Sequence, residues 1–292
     1  MALHLSEHGT DTGLTGPGVA PIRDRLDHFL KDLGTRLLVM GIVNVTPDSF
    51  SDGGRFESPA AAVEHAQKLV AEGADIVDIG AESTRPGHTP VPVEVELARL
   101  EPLLGDVIAA IDRPVSIDTT KAEVARRAVE FGACVINDVW GLQKDPAMAD
   151  VVAETGAGII IMHNRHEADP DLDIIADIRR FFDHSLHLAA KAGIPSRHIM
   201  LDPGIGFGKT QAQNLAALHG LDVLREYGLP LLVGVSRKSL FASLLGADVE
   251  HRLIGTLAAN LVAAGRGASI FRVHDVAEHV AAFKVLEAIE HA

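Results

Sequence analysis

Eight apolar, β-branched runs of strand length, near residues 37–43, 75–79, 114–118, 133–137, 157–162, 198–202, 229–235 and 268–273, alternate with stretches of helical period from about residue 36 onward. A strand that is apolar throughout is buried on both faces, and such strands separated by amphipathic helices build a parallel sheet with helices outside. One helical stretch carries Ile175, Ile178, Phe182, Leu186 and Ala189 and stops at Gly193, with Pro195 just beyond; the last carries Val276, Val280, Phe283, Leu286 and Ile289. Eight units predict a single (β/α)8 TIM barrel of the α/β class. A doubly wound open sheet has the same local pattern, so repeat counting leaves that alternative open.

Length and composition fit one such barrel. The chain has 292 residues, 47% of them hydrophobic, and ~250 residues is the usual size of this fold. Residues 36–292 are therefore expected to form the barrel. Residues 1–35 are expected to be a largely flexible N-terminal extension: His4, His8, Gly9, Gly13, Gly16, Pro17 and Gly18 fall in a turn-rich stretch without periodic apolar positions. A formal net charge of −14 argues against nucleic acid or an anionic membrane as partner, since both need a basic face. An anionic substrate must then meet a local cationic cluster. The single Cys134 lies in an apolar run, which makes an internal disulfide impossible and suits a small core side chain. No run approaches the ~18 apolar residues of a membrane span, and the first residues lack a secretory pattern. A cytoplasmic protein is expected.

The strand ends carry the chemistry. In order they present Asn44, Asp78 with Glu82, Asp118, Asn137 with Asp138, His163, Asp202, Ser236 with Lys238, and Arg272 with His274. Any one Asp or Asn after a strand can be the N-cap of the next helix. Eight polar ends together point to one site at the carboxyl face of the sheet, where parallel α/β folds bind ligands. The run from Asp202 to Thr210 ends in Gly-Lys-Thr like a phosphate-binding loop, but Pro203 occupies the place of that pattern's first glycine. A dinucleotide fingerprint fails as well, because its third glycine comes one residue early. The glycines instead suit close approach of backbone to a flat ligand beside Asp202, with Phe207 as an apolar wall. His163 with His166, and His184 with His187, are spaced by three residues without a matching carboxylate pattern, which speaks against a zinc site. The Ser236-Arg237-Lys238-Ser239 turn follows the seventh strand of an acidic chain, which favours a binding role over a solvated turn.

Two turn-forming loops, Asn44 to Gly54 and Glu82 to Gly87, follow the first two strands. Together with Ser116-Ile117-Asp118, Ile136-Asn137-Asp138, Met162-His163, Leu201-Asp202 through Phe207-Gly208-Lys209, Gly234 through Ser239 and Arg272-Val273-His274-Asp275, they occur in the order found in dihydropteroate synthases. The chain closely resembles that family from about residue 36 to 290. It departs at Ala81, where a second glycine is common, at Asn164, where Met is often found, and in residues 1–35, which extend past the usual start.

The resemblance implies a (β/α)8 barrel that forms a homodimer through its last helices. It implies a magnesium-dependent (Mg2+) transferase that joins 6-hydroxymethyl-7,8-dihydropterin diphosphate to p-aminobenzoate in folate biosynthesis. Carried over by position, Asp202, Asn137, Asp118 and Lys238 would hold the pterin between Met162 and Phe207. A carboxylate such as Asp202 suits the ring's amino and N–H edge. Thr84, Arg85, Arg272 and His274 would hold the diphosphate, Asn44 the magnesium ion, and Phe50, Thr84, Pro86 and Ser239 the p-aminobenzoate. The catalytic set would be Asp118, Asp52, Arg85 and Lys238, with diphosphate leaving first and the arylamine attacking the resulting pterin cation. Two other readings fit less well. A methyltetrahydrofolate methyltransferase leaves the diphosphate cluster without a task, and a non-catalytic pterin-binding paralogue leaves the full set of polar strand ends unexplained. Sulfonamides, which copy the arylamine, are expected to compete at the same pocket.

Overall fold

The computed structural model of the chain describes residues 22–45, 58–83 and 89–292. Phe50, Asp52, Thr84, Arg85 and Pro86 lie outside the described residues. The strands are β1 (Leu38–Asn44), β2 (Ile76–Gly80), β3 (Val115–Asp118), β4 (Val135–Asp138), β5 (Gly158–Met162), β6 (Ile199–Asp202), β7 (Leu231–Val233) and β8 (Ala268–Val273). All neighbours pair in parallel, and β8 closes back on β1. The open-sheet alternative is thereby removed.

Among the described residues the helices are α1 (Ile22–Asp32), α2 (Pro59–Ala71), α3 (Val93–Ala110), α4 (Ala122–Phe131), α5 (Met148–Thr155), α6 (Ile174–Ala192), α7 (Gln211–His219), α8 (Leu221–Leu224), α9 (Ser239–Leu245), α10 (Leu253–Gly265) and α11 (Val276–Glu290). Their ends follow from local chemistry. Asp173 caps α6 by accepting from the N–H groups of Ile175 and Ala176, and Gly193 ends it in the left-handed region at φ 88°. Thr210 and Gln213 close a reciprocal capping box at the start of α7. The seventh apolar run is longer than its strand, because the β7–β8 register shifts between Leu231 and Leu232 and regular pairing ends at Val233.

Side chains alternate across each strand, and the two parities bury different things. Val39, Val77, Ile117, Ile136, Ile159, Leu201, Val233 and Phe271 point outward into one core shared with the helices. Leu38, Met40, Ile76, Val135, Ile160, Met200, Leu232 and Ile270 fill the barrel interior. Helix α1 packs Leu26 and Phe29 into that interior cluster. This helix lies in the stretch that the sequence led us to expect as a largely flexible N-terminal extension.

Two residues further along the same inward parity the chemistry changes. Ile76 gives way to Asp78, Val135 to Asn137, Ile160 to Met162, Met200 to Asp202 and Ile270 to Arg272, while β3 contributes Ser116 and Asp118. The apolar floor therefore becomes a polar mouth within one pleat. On the outside, α9, α10 and α11 leave large apolar side chains in solvent: Leu244, Leu245, Ile254, Val262, Val285 and Ile289 are each 48–78% exposed. Among the described residues no helix is long and apolar enough to cross a membrane.

Candidate active site at the carboxyl end of the barrel

A buried ion-pair network occupies the centre of the mouth. Arg272 donates from Nε to Asp78 Oδ2 at 2.6 Å and from Nη2 to Asp118 Oδ2 at 3.1 Å, and Asn137 Nδ2 donates to Asp78 Oδ2 at 3.2 Å. Asp78, Asp118 and Asn137 are all buried. Burial pushes the Asp118 carboxyl above the usual carboxylate range; Arg272 opposes that rise and the nearby Asp78 adds to it. A cation or a donor-rich ligand over Asp118 therefore favours its ionised form.

Across the mouth, Asp202 Oδ1 accepts from the Gly204 N–H at 2.7 Å. Burial raises the Asp202 pKa, with Lys238 the largest opposing influence. The Lys238 ammonium stands 4.4 Å from the centre of the Phe207 ring and donates to the Ile205 carbonyl. Burial pulls its pKa down to about 8, against the pull of Asp202. Two glycines make this corner possible. A Cβ on Gly204 (φ 66°) would lie 1.9 Å from the His163 carbonyl oxygen, and one on Gly206 (φ 87°) would lie 3.0 Å from Lys238 Cδ.

Lys209 explains the misleading Gly-Lys-Thr. Its ammonium is buried and donates to the carbonyls of Gly204 at 2.7 Å, Phe207 at 3.1 Å and His163 at 3.5 Å, so it ties the loop to itself. Thr210 is engaged as the α7 cap. His163 is likewise internal. Its Nε2 meets Asp177 Oδ2 at 3.1 Å, its ring lies edge-on to Phe181, and burial pulls its pKa down to about 3, which keeps it neutral. His184 and His187 are exposed on α6.

The remaining sequence-identified residues that the structure describes fall on the same rim. Met162, buried at the end of β5, is in register with Asp202. Ser236 accepts from the His274 N–H at 3.1 Å and its hydroxyl lies 2.9 Å from His274 Nδ1. Ser239 is exposed at the first position of α9. Asn44 is half-buried at the end of β1, and a Cβ on the neighbouring Gly80 would stand 3.8 Å from Asn44 Oδ1 and 3.7 Å from Asp118 Oδ2. Gly80 thus leaves room between the β1 and β3 ends. Among the described residues no group of three or more His, Cys, Asp or Glu is arranged to hold a metal ion.

In the sequence Asp78 stands out only as one of several strand-end carboxylates, with no role of its own. It is the hub of the network, and the signal was a carboxylate inside the apolar run Ile76-Val77-Asp78-Ile79. A second group involves Glu82, marked by the sequence at a strand end, together with residues the sequence did not single out. Lys121, at the start of α4, bridges Glu82 and the fully buried Glu96, while Arg99 donates to the Ala81 carbonyl at 2.6 Å. Nothing in the local sequence brings these distant residues together.

Residues 40–274 match the family described as pterin binding enzyme. The dihydropteroate synthase of Clostridium beijerinckii is 44% identical over 259 residues, covering 88% of this chain and 96% of that protein. The Xanthomonas albilineans dihydropteroate synthase solved with 4-aminobenzoic acid superposes with a TM-score of 0.84 at 47% identity, covering 88% of this chain and 94% of that one. The Yersinia pestis dihydropteroate synthase solved with a sulfonamide drug gives 0.84 at 43% identity, covering 88% and 96%.

Proposed function

Since the chain belongs to the dihydropteroate synthase family of pterin-binding enzymes, we propose that its barrel mouth binds a pterin diphosphate and transfers the pterin to p-aminobenzoate. The observation that carries this reading is the division of the mouth. Buried acceptors on Asp78, Asp118 and Asn137 face a second corner where Asp202 stands beside Lys238.

A pterin has an edge of amino and N–H donors beside a ring carbonyl. Asp202 receives the donor edge, its carboxylate held in place by the Gly204 N–H, and Lys238 meets the carbonyl side. Met162 and Phe207 cover the ring. Asn137 and Asp118 take the remaining ring atoms. As diphosphate departs, positive charge grows on the pterin, and a buried carboxylate at Asp118 stabilises it more than water would. No side-chain nucleophile is needed. Arg272 is held by Asp78 and Asp118, so it offers fixed positive charge toward the diphosphate, together with His274 on the next loop. The loop residues Thr84 and Arg85 complete the anion site, and Phe50, Asp52, Thr84, Pro86 and Ser239 receive the arylamine and shield the cation from water.

Magnesium fits the donors present. An amide oxygen at Asn44 opens onto the space beside Gly80 and Asp118, and one protein oxygen plus phosphate oxygens and water is a normal magnesium arrangement. When bound, the ion supplies charge to the leaving diphosphate.

We assign the exposed apolar faces of α9, α10 and α11 to a homodimer, because apolar patches of this kind mark association surfaces. The protein works in the cytoplasm on this reading. The test is diphosphate release from the pterin substrate with and without p-aminobenzoate. Release with dihydropteroate formed in equal amount, abolished by chelator and restored by magnesium, is expected. Pterin binding without any diphosphate release would make the chain a non-catalytic paralogue.

A further inference from the structure

Arg237 is one of two non-glycine residues with positive φ among the described residues, at 54°. An L-residue enters the left-handed region at a cost, so something must hold it there. Three contacts do. Its N–H donates to the Thr256 hydroxyl at 3.1 Å, its carbonyl accepts from Arg252 Nη1 at 3.0 Å, and its guanidinium forks onto Asp275, with Nε 3.0 Å from Oδ2 and Nη2 on Oδ1. Thr256 is fully buried and donates in turn to the Arg252 carbonyl at 3.0 Å. Helix α10 thus grips the backbone of Arg237, while its side chain is tied to the start of α11.

The neighbours of Arg237 give this brace its meaning. On one side Ser236 is joined to His274 through both the backbone N–H and Nδ1. On the other, Lys238 takes extended angles (φ −68°, ψ 159°) as the N-cap of α9, and Ser239 opens that helix. The loops after β7 and β8 are therefore crosslinked twice, by Ser236 with His274 and by Arg237 with Asp275. A bidentate guanidinium–carboxylate pair fixes both distance and plane, which a lysine in the same place would not do.

We propose that Arg237 and Asp275 are positioning residues that set Ser239 and the Lys238 backbone at a fixed distance from His274, and so govern the affinity for p-aminobenzoate. This rests on the reaction proposed above. Recognition of the pterin ring depends on the pair much less. The Lys238 ammonium is anchored separately by the Ile205 carbonyl and the Phe207 ring, and Asp202 by Gly204.

The test is a double-mutant cycle on the full-length protein with Arg237→Asn, Asp275→Ala and both together. Asn tolerates the left-handed region, so the fork is lost without forcing the backbone to change. Steady-state diphosphate release gives kcat and the KM for p-aminobenzoate, and calorimetry gives the affinity for the pterin. Each single variant is expected to raise that KM about tenfold, with the double variant no worse than either, because both remove the same brace. Arg237→Lys should recover only part of the loss. Pterin affinity should stay within about threefold in all of them. Additive losses, or an unchanged KM in Asp275→Ala, would show Arg237 acting on substrate directly and overturn the proposal. Equal loss of pterin affinity in every variant would overturn it too, as general disorder of the mouth. If the unmodified chain releases no diphosphate, the parent reading falls and takes the brace with it; turnover with unmoved variants removes the brace alone.

Discussion

Replacing Asp202 by Ala probes the pterin corner most directly. Asp202 is 4% exposed, and its charge is the largest influence holding the Lys238 pKa up against burial. On the proposed reading its carboxylate accepts from both the amino group and the ring N–H of the pterin. A hydrogen bond to a charged group contributes about 1.5–3 kcal/mol. Two such bonds, partly offset by water entering the space left by the carboxylate, give a loss of ~2–4 kcal/mol, or ~30- to 700-fold in affinity. The variant also frees the Gly204 N–H and removes the charge that opposes deprotonation of Lys238, so thermal melting should be followed alongside. Isothermal calorimetry with the pterin lacking its diphosphate isolates the ring contribution. Asp202→Asn should lose nearly as much, since it sets a donor against the ligand's donors. A folded Asp202→Ala protein that binds the pterin within threefold of the unmodified chain, or ~0.65 kcal/mol, would refute the assignment of this corner.

Arg272→Ala should weaken binding of the pterin diphosphate more than binding of the bare pterin in the same calorimetric format; equal losses would leave Arg272 only the task of pairing Asp78 and Asp118. His163 has a folded pKa pulled down to about 3 from a usual 6.5, so the unfolded chain binds the extra proton first and stability falls as pH drops from about 6.5 toward 3. Between pH 7.5 and 5 this contributes a loss of ~2 kcal/mol in urea unfolding, which His163→Gln should largely remove. Phe29→Ala should destabilise the barrel by ~3 kcal/mol in the same assay, because Phe29 is buried against the interior cluster; no change would mean that the fold begins after α1. Sulfamethoxazole should inhibit competitively against p-aminobenzoate, and full turnover at high drug concentration would contradict a pocket built around Lys238 and Ser239.

Why the barrel was legible and parts of the site were not follows from how far each signal reaches. A parallel strand buried on both faces needs an unbroken apolar run, so each of the eight runs marked its strand within a few residues. Helix ends were equally local, as Gly193 shows at the end of α6. The open-sheet alternative survived because closure is a property of β8 meeting β1, where Arg272 is in register with Met40 from the other end of the barrel sequence. Helix α1 escaped because its amphipathic turn follows a Gly- and Pro-rich stretch, and only the barrel floor reveals what Leu26 and Phe29 cover. Polar strand ends could be read, but not their partners. Asp78 looked like one strand-end carboxylate among several until Arg272 and Asn137 were brought to it. The glycines after Asp202 were rightly set apart from phosphate loops, while the use of Lys209 as a clamp on its own loop required the His163 carbonyl from another strand.

The mouth also has a distribution of polar groups that bears on what it binds. Among the described residues Asp78 Oδ1, Ser116 Oγ, Asp118 Oδ1 and Asn137 Oδ1 are buried without a hydrogen-bond partner. Buried polar atoms find a partner in protein, water or ligand, so four on neighbouring strands mark a place where polar groups of a bound molecule can be received. They occupy β2, β3 and β4, whereas the cations Lys238 and Arg272 come from the β7 and β8 side. Such a mouth suits a flat ligand that carries polar ring atoms and an anionic arm. The pterin diphosphate of the proposed reaction has that polarity. On the proposed reading Asp202 takes the donor edge and Asn137 and Asp118 the remaining ring atoms, which leaves the diphosphate arm toward Arg272 and His274.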